Sequence, residues 1–230
     1  MKSTYHPSSQ SNDGEPLSEE VGPPARSRYV SARAIVANVF LPFIAIRLLL
    51  MLVGLTTIYY IVPLIKHQQP IVSDSRLSHF PAMLYLMWIH FDSGFYLTIA
   101  HDGYWGAHTL HAQSNWGFFP FYPLVIRLIA LPLGSAWSTY QLVGIFVSNS
   151  AALIAALYLY KLTTKEFNNA IATRAVFYLG LFPMSFYLSA VYPESLFLAL
   201  SISCIYYARL HRWWLAGILG ALATLTRPSG

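Results

Sequence analysis

The chain has 230 residues, of which 56% are hydrophobic, 16% aromatic and only 10% charged. A soluble domain carries about 25% charged residues, so this composition, with a mean hydropathy of +0.48, argues for a membrane protein and against an ordinary soluble domain. The formal charge of +5 is spread thinly and forms no dense basic patch, so no nucleic-acid partner is expected. The single cysteine, Cys204, excludes an internal disulfide.

Residues 1–33 are rich in Ser, Pro, Glu and Arg and lack apolar periodicity, the composition of a disordered tail. Arg26, Arg28 and Arg33 precede the first long apolar run and favour a cytoplasmic N-terminus. Residues 34–230 then read as one transmembrane domain. A first span over 35–63 exceeds the roughly 20 residues needed to cross, so tilt or an interfacial extension is expected. Arg47 lies inside it, with two readings open: a snorkelling or carbonyl-bonded side chain, or a contact to a lipid phosphate.

Residues 64–116 form a polar and aromatic loop. Within it Phe80–Ala100, carrying Tyr85, Trp88, Phe91, Phe95 and Tyr96, is expected to lie as a helix at the membrane interface. The apolar run 117–134 is short and holds Pro120, Pro123, Pro132 and Arg127. Clearer apolar runs follow at 140–160, 172–190, 194–208 and 213–226. Lys161 and Lys165 follow one of them, and Arg209 and Arg212 another. If both clusters are cytoplasmic, 140–160 runs from outside to inside. Then 117–134 is re-entrant or interfacial, and Asp92, Glu194 and Arg227 share the non-cytoplasmic side. If 117–134 crosses instead, Glu194 moves inside. The charge rule favours the first arrangement. The chain stops at Gly230 directly after an apolar run, and a longer protein is expected.

After Arg28 the only acids are Asp74, Asp92, Asp102, Glu166 and Glu194, and ionisable groups near lipid are costly and tend to be functional. Asp92 sits in His90-Phe91-Asp92-Ser93-Gly94-Phe95-Tyr96 and reads either as a helix cap or as a general base. Burial beside aromatic rings would strengthen the base. Asp102 precedes Gly103, a turn signal. Glu194 begins an apolar run, where a helix N-terminus favours a carboxylate. Arg227 is a membrane-interface anchor or a bidentate clamp for phosphate. Tyr122 and Tyr192 pack, or stack on a sugar ring. His108 and His111 are three apart, but nothing near them completes a metal site, and no Gly-rich phosphate loop or hydrolase elbow is present.

Four segments carry a resemblance. Phe91-Asp92-Ser93-Gly94-Phe95-Tyr96-Leu97-Thr98-Ile99-Ala100-His101-Asp102-Gly103-Tyr104 resembles the W-D-x-x-[WHY]-[YF]-x-x-I-A-x-x-G-Y motif of the PIG-V family, which comprises GPI mannosyltransferase 2 and its bacterial relatives. Phe118-Phe119-Pro120-Phe121-Tyr122-Pro123-Leu124 is similar to its F-F-P-x-[YF]-P-L. Ser189-Ala190-Val191-Tyr192-Pro193-Glu194-Ser195-Leu196-Phe197 is similar to its S-A-x-Y-[ST]-E-[SA]-L-F. Ala223-Thr224-Leu225-Thr226-Arg227-Pro228-Ser229-Gly230 resembles its A-[TS]-x-x-R-[SP]-[NTS]-G. Phe91 stands where the family has Trp, and Pro193 precedes the glutamate.

The resemblance implies an all-α, polytopic helical bundle of the GT-C type. It implies a glycosyltransferase that moves a sugar, most often mannose, from a polyprenyl-phosphate donor to a hydroxyl of a glycan or glycolipid acceptor on the non-cytoplasmic face, as in GPI anchor biosynthesis. Asp92 is the expected base. Arg227, Glu194, Tyr192, Asp102 and Tyr122 are the expected substrate contacts. No metal or cofactor is expected beyond the lipid-phosphate sugar donor itself. The expected location is a multi-pass integral protein among membrane lipids, in a bacterial cell membrane or, alternatively, the endoplasmic reticulum. The competing reading is a non-catalytic membrane protein, a transporter or assembly subunit, which requires polar residues along a path through the spans.

Overall fold

The computed structural model describes residues 32–61, 87–105 and 114–227, and all regular structure among them is helical. The first span begins at Ala32. Helix α1 (Ala32–Thr56) contains a π-type turn at Val36–Phe40 and passes into another at Thr57–Ile61. Only the end of the expected interfacial helix is helical among the described residues: Met87–Asp92 is turn and loop, and α2 covers Ser93–His101. Phe91 has a backbone φ of 51°, a left-handed conformation costly for a bulky residue, and this stops a helix from continuing through it.

Helix α3 (Phe121–Ala130) and the 3-10 turn Leu131–Leu133 follow. Ten helical residues reach about 15 Å, half of the roughly 30 Å hydrocarbon core, so α3 does not cross by itself. Gly134, at φ 132°, makes the turn into α4 (Trp137–Glu166), a 30-residue helix. Asn168 caps α5 (Asn169–Leu181), its side chain accepting the Ile171 N–H at 2.9 Å. The expected run 172–190 breaks at Phe182, which Pro183 pushes into extended backbone (ψ 134°). A 3-10 turn, Pro183–Leu188, replaces its second half. Helices α6 (Glu194–Ala208) and α7 (Trp213–Thr224) complete the described chain.

Helix α4 is the axis of the bundle, and it is apolar on all sides, as a helix enclosed by protein or lipid must be. Lipid is as apolar as leucine, so helices in a bilayer associate through small residues that let backbones approach. On α4 one such face, Ala151 and Ala155, packs with Ala199 and Ile202 of α6. Another, Ala156, packs with Val39 of α1 and Ala172 and Val176 of α5. At Gly144 a Cβ would stand 2.8 Å from Val191 Cγ1 and 3.5 Å from Ile126 Cδ1. A glycine is needed there because a β-branched valine has little freedom to retreat.

The cross-links give helix direction. Ser148 of α4 reaches Tyr192, Tyr158 meets Tyr207, and Lys165 reaches Arg209, so α4 and α6 run parallel. Asn38 of α1 meets Tyr160, while Arg47 reaches Ser185, so α1 runs against α4. Arg47 thus takes a backbone carbonyl partner, one of the two readings open from sequence. At one end of the bundle lie Lys161, Lys165, Arg209 and Arg212, with Glu166 the acid among them; Asp92 and Glu194 lie at the other. Helices α1 and α4 are long and apolar enough to cross a membrane, which supports a membrane location. Helices α5, α6 and α7, at 13, 15 and 12 residues, are shorter than the hydrocarbon core is thick.

Candidate active site

The acidic end is assembled from chain segments about a hundred residues apart. Val191 N–H donates to Trp88 O at 3.0 Å. One residue on, the Tyr192 hydroxyl donates to His90 O at 2.9 Å and accepts the Asp92 N–H at 3.1 Å. These two bonds bracket Phe91, hold its positive φ in place and fix the backbone of Asp92. A strained residue persists only where its surroundings over-determine it, and here one phenol does so from both sides. The Phe91 ring itself is 84% exposed.

Tyr192 is anchored in turn. Its carbonyl accepts from Ser148 Oγ at 3.4 Å, and Ser148 Oγ lies 2.7 Å from the Tyr122 hydroxyl. Tyr122 is fully buried, so its hydroxyl requires these partners. Asn149 repeats the device one residue further along α4: its amide donates to Ser189 O at 3.3 Å and its carbonyl accepts from Ser189 Oγ at 3.1 Å. Phe121 N–H donates to Leu225 O at 3.1 Å, which ties the start of α3 to the end of α7, two residues before Arg227.

Glu194 and Arg227 form an ion pair at 3.1 Å. The other carboxylate oxygen, Glu194 Oε2, is buried without a partner among the described residues. Asp92 is exposed and its side chain makes no capping bond to α2. The cap reading therefore fails for the side chain, and Asp92 is not buried beside the aromatic rings. Tyr96, one helical turn beyond Asp92, stands among these groups. Burial pushes its hydroxyl far above the ordinary value of 10.0; Glu194 and Asp92 push the same way, while Arg227 opposes them. Burial also raises Tyr192. Both phenols therefore stay neutral and can donate hydrogen bonds at physiological pH.

Of the residues singled out from sequence, Asp92, Tyr192, Glu194, Arg227 and Tyr122 come together at this end. Tyr122 and Tyr192 do so as struts, with their hydroxyls already engaged. Asp102 does not join them. It closes α2 at the opposite end from Asp92, about 15 Å along the helix. There it pairs with His101, Oδ1 to Nδ1 at 2.5 Å, while His101 Nε2 lies 3.0 Å from Ser135 O. Arg127 reinforces that corner through Ala100 O and His101 O, both at 3.1 Å. His108 and His111 lie outside the described residues.

Sequence reasoning missed Tyr96, Ser148 and Asn149 as members of the site. Tyr96 carried a signal, because residues i and i+4 share one helical face and Asp92 and Tyr96 have that spacing. Ser148 and Asn149 carried none, being small polar residues in an apolar run. Beside Glu194 an open apolar groove of about 260 Å³ is lined by Leu179, Phe182, Met184, Leu188 and Leu198. The end thus offers a carboxylate without a side-chain bond among the described residues, a guanidinium paired on one side, the neutral Tyr96 phenol and an apolar groove beside Glu194.

Comparison with known proteins agrees with the four segments. The family described as Mannosyltransferase (PIG-V) matches residues 36–230. GPI mannosyltransferase 2 of Schizosaccharomyces pombe is 30% identical over 148 residues, which cover 64% of this chain and 30% of that relative. The chain thus spans less than a third of that relative's length. No solved structure matches.

Proposed function

The chain belongs to the PIG-V mannosyltransferase family, and from that premise we propose that it carries the reactive end of a membrane glycosyltransferase. In this reading the enzyme moves mannose from a polyprenyl-phosphate donor to a glycan or glycolipid hydroxyl. The observation that carries it is the convergence of all four family-like segments on one end of the bundle, around Asp92, Glu194 and Arg227.

The chemistry follows from those groups. Asp92, exposed and without a side-chain hydrogen bond among the described residues, takes the proton of the acceptor hydroxyl. The acceptor oxygen bonds to the anomeric carbon as the bond from that carbon to the phosphate oxygen breaks. The polyprenyl phosphate leaves carrying the negative charge. Arg227 gives one guanidinium nitrogen to Glu194 and has further N–H donors for the departing phosphate. Glu194 holds Arg227 in orientation. Tyr96 supplies a neutral hydroxyl for a sugar oxygen. The groove of about 260 Å³ beside Glu194 receives the first isoprene units of the lipid. The basic end faces the cytoplasm by the charge rule, which puts acceptor and donor on the opposite face: the exterior of a bacterial cell, or the lumen of the endoplasmic reticulum in a eukaryote.

The test uses membranes holding the full-length gene product and labelled polyprenyl-phosphate mannose. Label is expected to enter glycolipid with the natural protein and to be lost with Asp92→Asn. Retained transfer in that variant removes Asp92 as the base. Label arriving only from a nucleotide sugar overturns the donor assignment.

A further inference from the structure

Helix α1 carries two charged residues, Arg33 at its start and Arg47 deep in its apolar stretch. A guanidinium in such surroundings is costly, and no carboxylate lies within ion-pairing distance of it among the described residues. Its contacts are specific. One terminal nitrogen donates to Ser185 O at 3.1 Å. The guanidinium carbon lies 4.8 Å from the centre of the Phe43 ring. The Nε is buried without a partner among the described residues. Next to it is a void of about 10 Å³ bounded by Phe43, Ile46, Ala156, Val176 and Leu188, no more than about one water's worth of space. Gly180 of α5 makes this approach possible, since a Cβ there would stand 2.5 Å from Ile46 Cδ1.

The bond ends on a particular piece of chain. Ser185 belongs to the 3-10 turn Pro183–Leu188, a short element with poorer hydrogen-bond geometry than an α-helix. Met184, Ser185, Tyr187 and Leu188 of this turn form one wall of the groove that also holds Glu194. Leu188 faces both the groove and the void beside Arg47. A leucine or methionine in α1 would pack the helices at lower cost. Only a strong donor fixes a backbone carbonyl, and this carbonyl lies in the one wall of the groove that is not α-helix.

We infer that Arg47 is a positioning residue for the lipid groove: by holding the Ser185 carbonyl it sets the wall against which the isoprenoid chain of a phosphate lipid packs. The inference rests on the reading of the groove as the donor-lipid site, and it adds that α1, which contributes no reactive group, governs which lipid chain is accepted. Its effect should therefore grow with the length of chain in the groove and vanish for a lipid too short to reach the wall.

The experiment measures binding of undecaprenyl phosphate and of methyl phosphate, which carries no isoprene unit, to the full-length protein in nanodiscs. It compares the natural protein with Arg47→Met and Arg47→Lys. Losing one charge-assisted hydrogen bond is expected to weaken undecaprenyl phosphate by about tenfold in Arg47→Met. Methyl phosphate is expected to change by less than about twofold, and Arg47→Lys, which keeps the charge and a donor on a flexible stem, to fall between. Equal weakening of both ligands overturns the inference, because a general loss of structure would act on both. Unchanged binding of both overturns it too. If Arg47→Met does not fold, Arg47→Lys decides alone: a loss confined to the long lipid supports the inference, and any other pattern overturns it. A natural protein that does not bind undecaprenyl phosphate overturns the donor reading of the groove itself, and this is seen without any variant.

Discussion

The two ends of the bundle use charge differently. At the basic end, Arg209 forms a double-pronged pair with Glu166, and Lys165 donates to Arg209 O. That acid is therefore engaged in closing the corner between α4 and α6. At the acidic end, among the described residues, Asp92 makes no side-chain bond and Glu194 keeps one buried oxygen without a partner, while Phe91 is held at a positive φ with its ring exposed. A charge whose bonds are satisfied within the fold needs no substrate to explain it. Groups left unsatisfied, in a strained segment that a distant phenol holds in place, are what a binding site leaves for its ligand.

This contrast can be broken or sharpened by substitution. After loss of the base Asp92 itself, the largest effect is expected from matched arginines. Arg227→Lys removes a planar fork from the candidate phosphate site and should slow mannose transfer by about tenfold or more. Arg209→Lys, at an exposed pair, should leave the transfer rate within about twofold. Initial rates with a lipid donor check both, and equal losses would erase the distinction. Tyr192→Phe comes next. It removes the bracket around Phe91 without changing the ring, and transfer should fall by about tenfold, with a stability loss of about 1 to 2 kcal/mol. Rate and thermal melting measured on the same preparation separate the two. Gly144→Ala pushes a methyl group toward Val191 and should destabilise the protein by about 1 to 3 kcal/mol, read as a lower melting temperature.

The smallest effect lies at the corner where Asp102 sits. The Asp102 side chain and the Ser135 carbonyl both hold His101 above its ordinary value of 6.5. A histidine raised on folding stabilises fully below the unfolded value and loses that contribution as pH rises through the folded one. Melting temperature should therefore fall slightly as pH rises above about 6.5, and Asp102→Asn should flatten the fall. This corner is exposed, so transfer should change little in that variant.

Much of this arrangement was legible in the sequence. The apolar runs gave α1, α4, α6 and α7, because long uncharged stretches have few alternatives. The lysine and arginine clusters following two of the runs gave the common basic end, and α4 and α6 are indeed parallel. Pro183 marked the end of α5, since the residue before proline avoids helix, but the hydropathy of 172–190 concealed that stop. The form of the Phe91 segment was not legible. Its aromatic residues suggested an interfacial helix, whereas its conformation is held by the Tyr192 hydroxyl about a hundred residues later. The same holds for Arg47, whose partner lies 138 residues away. For Tyr122 and Tyr192 the sequence offered packing or stacking on a sugar ring, and what it could not show is that both hydroxyls brace the fold.

The most direct measurement pairs the two ends in one experiment: mannose transfer from polyprenyl-phosphate mannose, with melting temperature, for full-length Asp92→Asn and Glu166→Gln. Asp92→Asn should lose transfer by at least about a hundredfold and melt as the natural protein does. Glu166→Gln should transfer at close to the natural rate and melt slightly lower. The reverse pattern, or transfer that survives in Asp92→Asn, would contradict the assignment of the acidic end as the reactive one.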